Sequence, residues 1–415
     1  MFPDIVLPEG HCGPQRGHMA RGFSGPVSTD TELEQIAEQV RLLKESEREI
    51  AQRLGISGEP EDMDEVEVFF RAKALRNGDD LAILGRLHSL RLQYSRAQPN
   101  LPVELNVYPS PSSPPYHVDG SRFYAVLIGI NKYTSYPLDG CVSDVRLMEH
   151  YLTEDLGVPR ERIQLFLGSE EHMSPADTMN PSRTHIIDAL LSIIHNPEIL
   201  YGDNIIIYYS GHGSCYPFEE KDDNIRYTEH IEALCPIDRD TIDDDGQPVP
   251  DISDREFNTI LTQISRAKGH RITVILDCCH SGSASRNLPE PGARKTPPTM
   301  AATLEDMLLT GDKNLRDYPG YQSILSRDWC PDVDSHVVLA ACKVYQFAKV
   351  KEVEGKAGEA GYIGIFTDSL VRVLRSGYLK KETAYADLVH CFDKTSHQTP
   401  VVAGTHKDAH IWYQD

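Results

Sequence analysis

The run Ile272-Thr273-Val274-Ile275-Leu276-Asp277-Cys278-Cys279-His280-Ser281-Gly282 constrains the fold more than any other stretch. Its first half is apolar or β-branched without alternation, the pattern of a strand buried on both faces. Its second half places an acid, two thiols, an imidazole and a small-residue turn where that strand ends. In open α/β sheets, ligands bind in the crevice outside the carboxyl ends of the strands. A thiol delivered there is a candidate nucleophile.

Other strands and helices alternate around this one. Buried strands are expected at 123–130, 163–167, 204–209 and 337–342, with a last short one at 410–413. Helices are expected at 141–156, 183–195, 254–268, 362–374 and 382–392. Alternation of this kind means an α/β fold, a mostly parallel sheet with helices on both faces. Two segments break the rhythm and read as irregular: acid-rich 214–253, and 283–335, rich in Pro and charge.

The chain before residue 121 reads differently. Residues 1–30 have no period and read as a flexible tail. Leu33, Ile36, Val40, Leu43, Ile50 and Leu54 follow a 3,4 spacing, so 31–96 reads as a small helical N-terminal region. Its stripe packs on its own domain or serves self-association. Residues 97–120 form a Pro- and Ser-rich linker. The main domain is 121–415.

A formal net charge of −22 argues against nucleic acid as a partner, which would need a basic face. Nine Cys, an odd count with no Cys-x-x-Cys pair, read as free thiols in a reducing compartment. No membrane span and no signal-type start are seen, so a cytoplasmic location is expected.

Three polar clusters follow three of the expected strands: Asp144 after the first, Ser210 and His212 after the third, Asp277 and Cys279 after the fourth. If those strands lie side by side, a thiol, an imidazole and two carboxylates share one crevice. A thiolate can attack while an imidazole draws its proton and later protonates the leaving amine. The N–H groups of Gly213 and Cys279 are candidates for an oxyanion hole. Asp144 and Asp277 remain to hold a cation such as a guanidinium. His280, next to Cys279, should point away from it, because neighbours alternate along extended backbone.

Ser210-Gly211-His212-Gly213 and Asp277-Cys278-Cys279-His280-Ser281-Gly282, each behind an apolar strand, resemble the metacaspases of the caspase-like peptidase clan, of a fungal type. Residues 123–130, 140–144 and 398–400 resemble the same family. The resemblance implies Cys279 as nucleophile, His212 as base, and a pocket of Asp144, Ser210 and Asp277 for cleavage after Arg or Lys. The partners would be polypeptides with basic residues at the cleavage site. It also implies self-cleavage in the loop after the nucleophile, for which Arg286, Arg294, Lys295, Lys313, Arg316 and Arg327 are all candidates. Many metacaspases need calcium; here Asp254 is followed by Arg255 where the family has paired acids, so no cofactor is required and calcium activation is an open expectation. The competing reading is a caspase-like scaffold or regulator with little turnover, assembling through 31–96.

Overall fold

In the computed structural model, the residues described are Glu49 and 119–413, except 223–224, 244, 280–292, 343–345, 355–359, 377–378 and 393–397. The helical region, linker and tail expected before residue 119, and the orientation of His280, lie outside the described residues.

Six strands form the central sheet: β1 (Phe123–Ile130), β2 (Ile163–Gly168), β3 (Asn204–Ser210), β7 (Ile272–Asp277), β8 (Val337–Ala340) and β11 (Val401–Ala403). Their spatial order is β11-β8-β7-β3-β1-β2. All pairs are parallel except β11 against β8. Every residue of β1 and β7 is buried, as expected of apolar runs that do not alternate.

Both faces of the sheet are covered. Phe123, Ala125 and Leu127 of β1 point into one core, with Val145 and Met148 of α1 (Cys141–His150) and Phe366 and Leu370 of α5 (Ile365–Arg375). Val126 and Ile128 point into the other. There they meet Ile186, Leu190 and Ile193 of α2 (Arg183–His195) and Ile260, Leu261 and Ile264 of α3 (Asp254–Lys268). Ser182 and Ser253 cap α2 and α3 by accepting from the N–H groups of His185 and Glu256.

The segments expected to be irregular are partly ordered. β4 (Gly213–Asp222) pairs antiparallel with β5 (Ile225–Leu234), and β6 (Ile252–Ser253) extends the pair. Tyr216, Ile231 and Ala233 pack on Met307 and Leu308, with Glu232 less buried between the last two. That alternation, not acidity, is the structural signal. Met307 and Leu308 belong to α4 (Leu304–Leu315), opened by a capping box between Thr303 and Asp306.

Three expectations near the C-terminus need correction. Tyr362 and Ile363 belong to β10 (Ala360–Gly364), paired with β9 (Val350–Glu354), so the helix starts only at Ile365. The helix expected over 382–392 shrinks to α6 (Leu388–Cys391). The N–H groups of Tyr385 and Ala386 are taken by the carbonyls of Ala409 and Lys407, which leaves no helical ladder there. Residues 411–413 form a 3-10 turn instead of a strand, with Trp412 at φ 58° and buried against Phe123 and Tyr385. The last strand of the sheet is β11. Among the described residues no helix is long and apolar enough to cross a membrane.

Candidate active site

β1, β3 and β7 are adjacent and end together, with Gly129 opposite Ser210 and Ser210 opposite Asp277. That alignment turns three separate clusters into one. Asp144 sits in the first turn of α1, which follows Gly140 at φ 88°. It reaches across the strand ends, and its Oδ2 accepts from Ser210 Oγ at 2.9 Å. Its Oδ1 accepts from the Gly364 N–H at 2.7 Å. Asp277 Oδ2 accepts from Thr367 Oγ1 at 2.6 Å and from the Thr367 N–H at 3.2 Å. Asp144, Ser210 and Asp277 are all fully buried.

The cation between the two carboxylates is the chain's own Arg294, 0% exposed. Its Nη2 donates to Asp144 Oδ2 at 2.6 Å. Its Nη1 lies 2.8 Å from Asp277 Oδ1 and donates to the Asp277 carbonyl at 3.2 Å. A Cβ at Gly364 would collide with Arg294 and Asp277, so only glycine allows β10 to close this wall. Burial pushes the Asp144 carboxyl up to about 6 despite the Arg294 charge beside it, and the Asp277 charge adds to the rise.

The backbone of Arg294 is held as firmly as its side chain. Its carbonyl accepts from the N–H of Gly213 at 3.0 Å and the N–H of Cys279 at 3.2 Å. Its own N–H donates to the Ala348 carbonyl at 3.4 Å. The two N–H groups converging on one carbonyl oxygen are those singled out from the sequence as an oxyanion hole. A Cβ at Gly213 would strike the Cys279 carbonyl, so the two segments approach this closely only because residue 213 is glycine.

His212 is buried beside this carbonyl. Its Nε2 donates to the Tyr136 carbonyl at 2.6 Å. Tyr136 is held at φ 58°, a conformation that costs a non-glycine residue free energy and presents its carbonyl to the ring. The Tyr133 ring packs on the imidazole at 4.7 Å, and its hydroxyl accepts from the His212 N–H at 3.0 Å. Nδ1 is buried without a hydrogen-bond partner. Burial lowers the imidazole pKa to about 4, against the raising pull of the Tyr136 carbonyl, and the Arg239 and Arg294 charges add to the fall. The ring is therefore neutral at pH 7, with Nδ1 left as an acceptor.

Cys279 Sγ accepts from the Ala348 N–H at 3.0 Å. Burial opposes the thiolate, but the Cys342 thiol, the Ala348 N–H and the charges of Arg294 and Lys295 outweigh it and hold the Cys279 thiol below its ordinary range. Burial pushes the Cys278 thiol well up. The described cysteines are free thiols.

Sequence reading missed the Tyr136 carbonyl, Thr367, Gly364 and Ala348, which act through backbone or through distant elements. It missed Cys342 as well, whose thiol donates to the Gln346 carbonyl at 3.5 Å and lies beside Cys279. Of the basic residues considered for self-cleavage, Arg286 lies outside the described residues, and Lys313, Arg316 and Arg327 are exposed. Arg294 alone among the described ones enters the acidic pocket.

Asp254 is followed by an arginine whose charge is held away from solvent. The neighbouring Arg255 guanidinium donates to the Ile324 and Ser326 carbonyls and lies over the rings of Phe218 and Trp329. Among the described residues no group of three or more His, Cys, Asp or Glu side chains is placed to hold a metal ion.

Residues 124–288 match the family model of the metacaspase peptidase C14 domain. Metacaspase-4 of Arabidopsis thaliana is 33% identical over 159 residues, 38% of this chain and 33% of that protein. Metacaspase-1A of Aspergillus oryzae is 32% identical over 161 residues, 39% of this chain and 34% of that protein. The matched region thus spans about a third of the length of these relatives. A solved protein of Geobacter sulfurreducens aligns with a TM-score of 0.45 and 21% identity, covering 71% of this chain and 96% of that one. By its sequence motifs and the family-model and metacaspase matches, the segment 124–288 is a metacaspase peptidase C14 domain, the caspase-like cysteine peptidase type.

Proposed function

We propose that this protein is an endopeptidase that cuts after arginine or lysine, with Cys279 as nucleophile and His212 as base, and that its first substrate is its own Arg294–Lys295 bond. One observation carries the reading. Arg294 has its guanidinium between Asp144 and Asp277 and its carbonyl on the N–H groups of Gly213 and Cys279. Side chain and scissile carbonyl are thus held at once, as a substrate must be.

The chemistry follows from that pose. The Cys279 thiol gives its proton to His212 Nδ1, and the sulfur turns from the Ala348 N–H to attack the Arg294 carbonyl carbon. Negative charge gathers on the carbonyl oxygen, where the Gly213 and Cys279 N–H groups stabilise it. Collapse breaks the C–N bond, and the imidazolium returns its proton to the Lys295 amine. Water then hydrolyses the thioester, which releases the Arg294 carboxylate and restores the thiol. The acidic pocket favours arginine or lysine and repels aspartate, because a buried carboxylate cannot accept a like charge. Ser210 belongs to the pocket through its bond to Asp144.

The test is hydrolysis of peptides ending in Arg, Lys or Asp linked to a fluorogenic amine, by wild type and Cys279→Ala. Turnover of the Arg and Lys peptides that disappears in Cys279→Ala is expected. Equal signals from the two proteins, or a preference for Asp, would refute the assignment.

A further inference from the structure

The residues that follow Arg294 are held by a second buried arginine. Arg239 Nε and Nη2 donate to the two oxygens of Asp251 at 3.0 and 2.9 Å, an arrangement that fixes the guanidinium plane. Asp251 is itself fully buried and accepts from the Tyr216 hydroxyl at 2.8 Å. The remaining donors of Arg239 point at one extended segment. Nη1 donates to Thr296 Oγ1 at 2.9 Å, and Nη2 to the Pro297 carbonyl at 3.0 Å. The same segment makes one parallel bridge to the start of β4, with Lys295 opposite Gly213 and the Thr296 N–H donating to the Gly213 carbonyl at 3.1 Å. Farther on, the Thr299 N–H donates to the Tyr216 hydroxyl at 3.1 Å.

We infer that Arg239, oriented by Asp251, builds a subsite on the leaving-group side of the cut. It selects a Ser or Thr at the second residue after the scissile bond and holds the carbonyl of the third. The inference rests on the reading that Arg294 occupies the acidic pocket as a substrate. Given that, Lys295, Thr296 and Pro297 lie where the leaving fragment of any substrate must lie. Arg239 touches none of the reacting atoms; it is a positioning and specificity residue. Its ligand class is a peptide with a basic residue, any residue, then a hydroxyl residue. A buried guanidinium that bonds a substrate hydroxyl discriminates against the isostere lacking it, because the unmatched donor is left without water.

Self-cleavage of the full chain, followed during cell-free synthesis and mapped by mass spectrometry, tests this. Thr296→Val should slow cutting at 294–295 by about tenfold or more, as expected for loss of a hydrogen bond to a charged group. Thr296→Ser should cut at close to the wild-type rate. Thermal midpoints in a Cys279→Ala background separate this from unfolding. Should Thr296→Val lower that midpoint, two quenched peptides containing Arg-Lys-Thr-Pro or Arg-Lys-Val-Pro decide: a raised KM for the second with unchanged kcat is expected. A wild-type rate in Thr296→Val, equal slowing in Thr296→Ser, or equal KM for the two peptides overturns the subsite. A wild-type chain that yields no fragment beginning at Lys295 refutes the underlying self-cleavage reading instead, and the subsite falls with it.

Discussion

Two buried arginines, Arg294 and Arg239, use the same pairing for different ends. Each has its guanidinium against aspartate in a nearly water-free site. Arg239 belongs to the scaffold: it follows β5 closely, and Asp251 stands just before β6 and α3. Arg294 is a guest. Its carbonyl rests on the N–H groups of Gly213 and Cys279. Burial and ion pairing therefore do not distinguish a fixture from a substrate. What distinguishes them is where the backbone of each arginine lies relative to the thiol.

The comparison can be broken by removing each arginine in turn in a Cys279→Ala background. Arg239→Met leaves Asp251 buried and uncompensated, so a loss of roughly 3–5 kcal/mol is expected in denaturant unfolding. Arg294→Gln should cost less. Its pocket can protonate Asp144, already raised to about 6, once the guanidinium is gone. A small guanidinium or amidine compound such as benzamidine should then restore stability to Arg294→Gln, by about 2.7 kcal/mol at a hundredfold excess over its Kd. It should do nothing for Arg239→Met. Equal rescue of both variants, read by thermal shift, would erase the distinction between guest and fixture.

Weaker effects sharpen the pocket. Asp144→Asn removes one of two charges facing the guanidinium and should lower kcat/KM on Arg peptides by about 30- to 100-fold, some 2–3 kcal/mol. Acidification should act in the same direction. Because the Arg294 charge lowers the Asp144 pKa, the empty pocket titrates above the occupied value of about 6. Affinity for arginine is thus complete above the empty-pocket pKa and is lost as pH falls toward and below about 6. A competitive guanidinium inhibitor measured across that range should show a rising Ki, and a flat profile would contradict the assignment. Ser210→Ala loses one hydrogen bond to Asp144 and should cost only about 0.5–1.5 kcal/mol, up to tenfold in kcat/KM.

Much of this was legible in the sequence because it lies on buried strands. Apolar runs without alternation locate β1, β3 and β7, and the polar residues immediately after them are the ones the sheet order gathers. Asp144 could be named because α1 starts close behind β1. Arg294 could only be placed among six basic residues, since the contact that places it is made with Asp277, 17 residues away in sequence. Arg239 was unreadable for a related reason. Its segment looked like part of an acid-rich loop, and the paired strands that precede it show only as the short alternation Ile231-Glu232-Ala233. The support of His212 was hidden too, because Tyr136 contributes a carbonyl, which every residue has, and does so through a positive φ.

The central claim is that Arg294 sits in the pocket as a substrate. It is tested most directly by the N-terminal sequence of the C-terminal fragment released from the purified full-length chain. A fragment beginning at Lys295, absent from both Cys279→Ala and Arg294→Gln, is the predicted result. An uncut wild-type chain, or the same fragment from Cys279→Ala, would contradict it.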